Sequence, residues 1–202
     1  MRFQYLRECT AIACLALFML TACGGPAPTN TPLPPTLPPQ LGSPTPQWVK
    51  MEVTSSAFAE GAQIPKEYTC DAENVSPPLS WTAPPRGTAS LVLICDDPDA
   101  PVGTWVHWVV YGLPPDARHL PEGVPPNEII EGGAKQGRND FRRIGYGGPC
   151  PPPGPAHRYS FKLYALDIDL TLGPGATKAE VLTAIEGHVL TEAQYMGHYK
   201  RL

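Results

Sequence analysis

Residues 96–108 read DDPDAPVGTWVHW. Three carboxylates, Asp96, Asp97 and Asp99, crowd a proline-broken turn between two apolar runs, and His107 follows inside the second run. Such a set admits three chemistries. Carboxylates and a histidine can exchange protons as general acid and base. They can hold a metal. Or a carboxylate can orient an imidazole that then binds something else. Aspartate also opens turns and caps backbone amides, so the cluster need not be a catalytic dyad.

A second chemistry-bearing stretch is residues 145–159, GYGGPCPPPGPAHRY. Prolines fix φ and stiffen the loop. Glycines let backbone N–H groups approach a ligand closely. Gly147, Gly148 and Cys150 can donate where the prolines cannot. With His157 and the Tyr159 hydroxyl, the loop suits a phosphate or a carboxylate. On composition alone a structural proline-rich turn accounts for the same residues. Asp97 and Asp99 would repel an anion unless they act through a histidine, by favouring its protonated form or choosing the nitrogen that faces the ligand. The rival enzymatic readings are a Cys150/His157 thiol–imidazole pair and a metal held by aspartates and histidines. No HExxH, GxSxG or Walker-type glycine pattern is present.

The elements that must position these residues are mostly strands. Residues 49–55 alternate, and 78–81 form a short strand-like run. Residues 90–97 (SLVLICDD) read as a buried strand running into the carboxylate turn. Residues 104–113 (TWVHWVVYGL) are rich in β-branched and aromatic side chains, with His107 in phase with Trp105, Val109 and Tyr111. Residues 158–168 alternate most clearly, with Tyr159, Phe161, Leu163 and Ala165 on one face. Residues 177–190 read as a helix, with Thr177 as N-cap and Glu180 completing a capping box. Residues 114–149 lack periodicity and are expected as loops over the sheet. The fold class is mostly β with one or two helices.

The N-terminus has another purpose. Arg2 and Arg7 precede an apolar stretch, 11–20, too short for an ordinary membrane span, which ends in Leu20-Thr21-Ala22-Cys23-Gly24. Small residues before a cysteine resemble a lipobox, so residues 1–22 are expected to be a lipoprotein signal peptide and Cys23 a lipidated N-terminus. A plain secretory signal or an uncleaved signal anchor is the alternative. Residues 23–47 are proline- and threonine-rich, uncharged and unable to bury a core, as befits a semi-rigid spacer. Residues 48–202 suffice for one domain. The localisation implied is extracytoplasmic, on a bacterial membrane. Of six cysteines, Cys70, Cys95 and Cys150 remain in the domain. Cys95 lies in an apolar run and reads as a buried thiol. Cys70 and Cys150 lie in loop contexts, and an oxidising compartment lets them pair. The net charge is −4, and no basic stripe appears, which argues against a nucleic-acid partner.

The quoted motifs, with YTCDAENVSPPLSW at 68–81 and IEGHVLTEAQYMGHYKR at 185–201, resemble the phosphatidylethanolamine-binding protein (PEBP) family, also called the Raf kinase inhibitor protein family, in its bacterial YbhB/YbcL-type branch. The resemblance spans essentially all of 48–202. It implies a β-sandwich with a small pocket at one end, no cofactor and no metal. The pocket residues would be Asp97, Asp99, His107, His157 and Tyr159, with backbone around Gly148 and Cys150. Tyr195 or Met196 in the C-terminal segment would close it. The expected function is a non-enzymatic module for a small anion, a phosphorylated group or a phospholipid headgroup. Inhibition of a protease or kinase through protein contact is the second reading, and hydrolysis the third.

Overall fold

A computed structural model describes residues 50–201. The expected signal peptide at 1–22, the lipidation of Cys23 and the linker at 23–47 lie outside the described residues. Two antiparallel sheets carry the domain. The smaller is ordered β1 (Val53–Thr54), β2 (Leu79–Trp81), β5 (His119–Leu120). The larger is ordered β6 (Lys135–Gln136), β4 (Trp105–Leu113), β3 (Ser90–Asp97), β7 (His157–Leu166), β8 (Val189–Tyr199).

Strand β3 sits at the centre and every one of its residues is buried. A strand covered on both faces must be apolar in both phases, hence the unbroken run Leu91–Cys95. Leu91, Leu93 and Cys95 face the core between the sheets, together with Trp108, Val110, Tyr159, Phe161 and Leu163. Val92 and Ile94 face the other way, onto Val109, Tyr111 and the helix residues Val181 and Ile185. The architecture is mostly β: a sandwich with one α-helix on its outer face and short 3-10 turns.

The helix α1 (Lys178–Ile185) starts where the capping box placed it. Thr177 Oγ1 accepts the Glu180 N–H, and Glu180 returns a bond to the Thr177 N–H. It ends before the expected boundary at 190. Gly187 adopts φ +80°, a left-handed conformation that terminates a helix cheaply only at glycine, and the chain then turns into β8. The first strand is likewise shorter than 49–55. Met51 and Val53 are buried in alternation, yet only Val53 and Thr54 find ladder partners on β2.

Cys70 and Cys150 form a disulfide, with Cα atoms 5.4 Å apart, and Cys95 is a buried free thiol. Burial pushes the Cys95 thiol well up, so it stays protonated and unreactive. Among the described residues no helix is long and apolar enough to cross a membrane.

Candidate functional site

Strand β3 ends where β4 and β7 begin, so one edge of the large sheet gathers Asp97, Trp105, His107, His157 and Tyr159. Asp97 lies opposite Trp105 in the β3–β4 ladder, and Asp96 lies opposite Ser160 in β3–β7. Asp97, Trp105, His107 and His157, with Phe141, Cys150 and the prolines 101, 151 and 152, line a cavity of about 210 Å³.

His107 reaches that cavity through a β-bulge. Cys95 pairs with Trp108, but Asp96 pairs with Val106, so His107 is an extra residue on β4. The expected alignment of His107 with Val109 and Tyr111 is therefore corrected. Those two side chains point to the helix side, whereas His107 packs edge-on against Tyr159, with ring centroids 5.1 Å apart, on the opposite side. Only its phase with Trp105 holds.

Each histidine is pinned through its Nδ1. His157 Nδ1 lies 2.8 Å from Asp97 Oδ2, with both side chains at least nine-tenths buried. His107 Nδ1 lies 2.5 Å from the Gly147 carbonyl oxygen, and the Gly147 N–H donates to the His107 carbonyl at 2.9 Å. A carbonyl only accepts, so His107 carries its proton on Nδ1. Burial lowers the His107 pKa below its ordinary value, against smaller raising contributions from Gly147, Asp97, Asp140 and Asp96. Its neutral form is favoured, so His107 is not a histidine that the aspartates charge. In both residues Nε2 is the nitrogen left for a ligand.

Asp97 is the orienting carboxylate. Its Oδ1 also accepts the Asp99 N–H at 2.8 Å, closing an Asx turn. Asp99 faces away from the cavity. Its carboxylate takes the Arg158 backbone N–H at 2.9 Å and the guanidinium at 2.7–2.9 Å, and the Arg158 bonds hold its pKa at about 2. Its place is to clamp the β3–β4 turn onto the start of β7, beside His157. Asp96 is sequestered on the helix side by Lys162 and Lys178.

Two of the three loop amides expected to face a ligand are already taken. The Gly147 N–H is spent on His107 and the Gly148 N–H donates to Asn74 Oδ1 at 2.7 Å. Gly148 is glycine for room. A Cβ there would stand 2.3 Å from the Tyr68 carbonyl oxygen and 2.6 Å from Asn74 Oδ1. Side chains offer donors as well. Two buried side-chain polar atoms among the described residues lack any hydrogen-bond partner, Trp105 Nε1 and the Tyr159 hydroxyl. Trp105 lines the cavity. The Tyr159 hydroxyl lies near Asp97; burial first, then that carboxylate, push its pKa far up, so it remains a donor. Leaving such groups unmatched costs about 1–3 kcal/mol each, which a bound acceptor would recover.

Trp105 and Phe141 were not singled out by sequence. Trp105 shares the phase of His107, a usable signal. Phe141 lies in an aperiodic loop and stacks edge-on against both Trp105 and His107, with centroids 5.5 and 5.4 Å apart. Tyr195 and Met196 do not close the cavity: the Tyr195 hydroxyl donates to the Phe58 carbonyl within the inter-sheet core, and the Met196 N–H is held by Glu60. The C-terminal residue that flanks the site is Tyr199, opposite His157 in the ladder. Cys150 contributes a wall but no thiolate, because its sulfur is bonded to Cys70. Among the described residues no group of three His, Cys, Asp or Glu side chains is placed to hold a metal.

Residues 54–200 match the family model described as phosphatidylethanolamine-binding protein. The chain belongs to the phosphatidylethanolamine-binding protein family. A UPF0098 protein of Methanothermobacter thermautotrophicus is 54% identical over 151 residues, covering 75% of this chain and 99% of that protein. One from Aquifex aeolicus is 51% identical over 153 residues, covering 75% and 89%. Among solved PEBP structures, a putative homologue from Chlamydia trachomatis, CT736, superposes with a TM-score of 0.70 at 44% identity, over 76% of this chain and 99% of that one. E. coli YbcL, described as a new member of the mammalian PEBP family, superposes with a TM-score of 0.72 at 32% identity, over 76% and 100%.

Proposed function

We propose that this PEBP-family protein is a non-enzymatic binding module whose cavity takes a small anion, a phosphorylated group or a phospholipid headgroup, and that lipid on Cys23 holds it extracytoplasmically at a bacterial membrane. The observation that carries the pocket reading is that one small cavity is lined by two histidines and by Trp105, whose indole N–H has no partner, with the buried Tyr159 packed behind His107. Trp105 Nε1 and the Tyr159 hydroxyl lack partners, and His157 is oriented by a buried carboxylate. His157, held by Asp97 through Nδ1, turns Nε2 to the cavity. Aromatic and proline walls around it exclude water and strengthen each of these bonds.

Nothing in the site supplies a hydrolytic constellation. Cys150 on the cavity wall is tied up as cystine, and the two histidines are each committed to a structural partner through Nδ1. The test is calorimetric titration of the domain with inorganic phosphate and with glycerophosphoethanolamine. Saturable binding lost on removal of the cavity histidines supports the reading; no binding of either compound rejects it. For the anchor, intact-mass analysis of membrane-extracted protein should find a mature chain that begins at Cys23 with added lipid mass. A chain beginning elsewhere without lipid rejects that part.

A further inference from the structure

A second cavity, of about 580 Å³, opens at the other end of β4. The nine residues of that strand run from Trp105, on the histidine cavity, to Leu113, on this one, so the two openings lie roughly 25 Å apart. The floor of the second cavity is the inter-sheet core itself. Leu113, Leu120, Val124 and Ile130 belong to that core, are at most 9% exposed, and line the opening.

An apolar gap tends to collapse, because covering its surface is favourable. Here each wall is tied down separately. In the loop between β4 and β5, the Ala117 N–H donates to the Pro114 carbonyl at 3.0 Å, and the Trp81 indole N–H donates to the Ala117 carbonyl at 2.8 Å. Beyond β5, the Gly123 and Val124 N–H groups both donate to Ser76, and the Gln136 amide donates to the Pro125 carbonyl at 2.7 Å. The third wall is the 3-10 turn at Glu131–Gly133, closed by the Gly133 N–H on the Ile130 carbonyl at 3.1 Å and fixed below by the Ile130 N–H on the Ala134 carbonyl at 2.8 Å. Pro114, Pro121 and Pro125 stiffen the bends by fixing φ. The cavity is therefore preformed, and its volume falls in the range of about 300–1,000 Å³ typical of small-molecule sites.

The rim sets the charge of what can enter. Asp116 and Glu131 line it as exposed carboxylates, and neither is ion-paired among the described residues. Arg118 lines it too, but its guanidinium donates to the Pro115 and Ala117 carbonyls of its own loop at 2.9 and 2.7 Å. His119 is the remaining titratable group on the rim. Two unpaired carboxylates against one committed guanidinium favour a cation and disfavour an anion. We infer that this cavity is a binding site for a small amphiphilic cation, an apolar body seated on Leu113, Leu120, Val124 and Ile130 that carries an amine met by Asp116 and Glu131. The site is independent of the histidine cavity and takes the opposite charge.

The test is methyl NMR titration of the protein near neutral pH with two probes of matched shape and opposite charge, 2-naphthylethylamine and 2-naphthylacetate. The amine should shift the methyl signals of Leu113, Leu120, Val124 and Ile130 saturably and leave Val102, on the histidine cavity, unmoved. It should bind at least about threefold more tightly than the acetate, the scale of partly exposed ion pairs. The double variant Asp116→Asn/Glu131→Gln touches only exposed side chains and should fold normally. It should bind both probes at the same methyls with equal affinity. No saturable binding of the amine, shifts centred on other methyls, equal or tighter binding of the acetate by the wild type, or a preference that survives in the double variant overturns the inference. Each of these outcomes leaves the anion reading of the histidine cavity untouched.

Discussion

Replacing His157 by alanine tests the centre of the site. The substitution removes the cavity imidazole that Asp97 orients. A hydrogen bond to a charged group contributes about 1.5–3 kcal/mol, so inorganic phosphate should bind about 10- to 150-fold more weakly. The cost to folding is separate and smaller than for a fully enclosed pair. Asp97 loses His157, but its Oδ1 keeps the Asp99 N–H, and its other oxygen faces a cavity enlarged by the missing imidazole, where water can enter. About 1–3 kcal/mol of stability should be lost. Asp97→Asn retains an acceptor for one of the two bonds and cancels the charge. The double variant closes a thermodynamic cycle, and its affinity should match that of His157→Ala alone, because Asp97 acts on the ligand only through the ring. The assay is calorimetry for affinity, with urea denaturation in phosphate-free buffer for stability. A folded His157→Ala protein that binds phosphate within threefold of the wild type refutes the reasoning.

Three further outcomes are expected. Replacing Cys70 and Cys150 together by alanine opens a loop of 80 residues and should lower unfolding free energy by about 2–4 kcal/mol in urea, with the bonds from Gly148 to Asn74 and from Tyr146 to Tyr68 still holding the loop in place; a change below about 1 kcal/mol contradicts this. Asp99→Asn should cost only about 0.5–1 kcal/mol at neutral pH because the Arg158 pair is part-exposed, and since the Asp99 pKa is depressed to about 2 the difference from wild type should fade as pH drops from about 4 through 2, a trend that pH-dependent denaturation would measure. Gly148→Ala should destabilise by more than about 2 kcal/mol through the clash with the Tyr68 carbonyl, and a well-folded variant with weakened anion binding alone would instead return Gly148 to the role of amide donor.

How much of this was legible in the sequence follows from the range of the forces involved. Strands β3, β4 and β7 are nearly as expected, because burial on one or both faces must be written as an apolar run or an alternation. The capping box was legible for the same reason: Thr177 and Glu180 interact within one turn. Strand β8 was not. Its residues 189–192 are largely exposed, its alternation begins only at Ala193, and its first two residues continue the apolar pattern of the helix before it; Gly187 was the available signal. The site was legible as a set of residues and illegible as geometry. Asp97, His107, His157 and Tyr159 do converge, but Asp99 turns outward to Arg158, and the Gly147 and Gly148 amides are consumed by His107 and Asn74. Each of those partners lies far along the chain. The β4 bulge shows the limit most clearly. Periodicity within β4 places His107 with Val109 and Tyr111, on the helix side. Only the register against β3, which slips between Cys95 and Asp96, turns it to face Tyr159. The two bonds to Gly147 then hold a buried polar ring in that position, and any substitution that removes the slip would return residue 107 to the apolar face packed on Val181, where an imidazole has no partner.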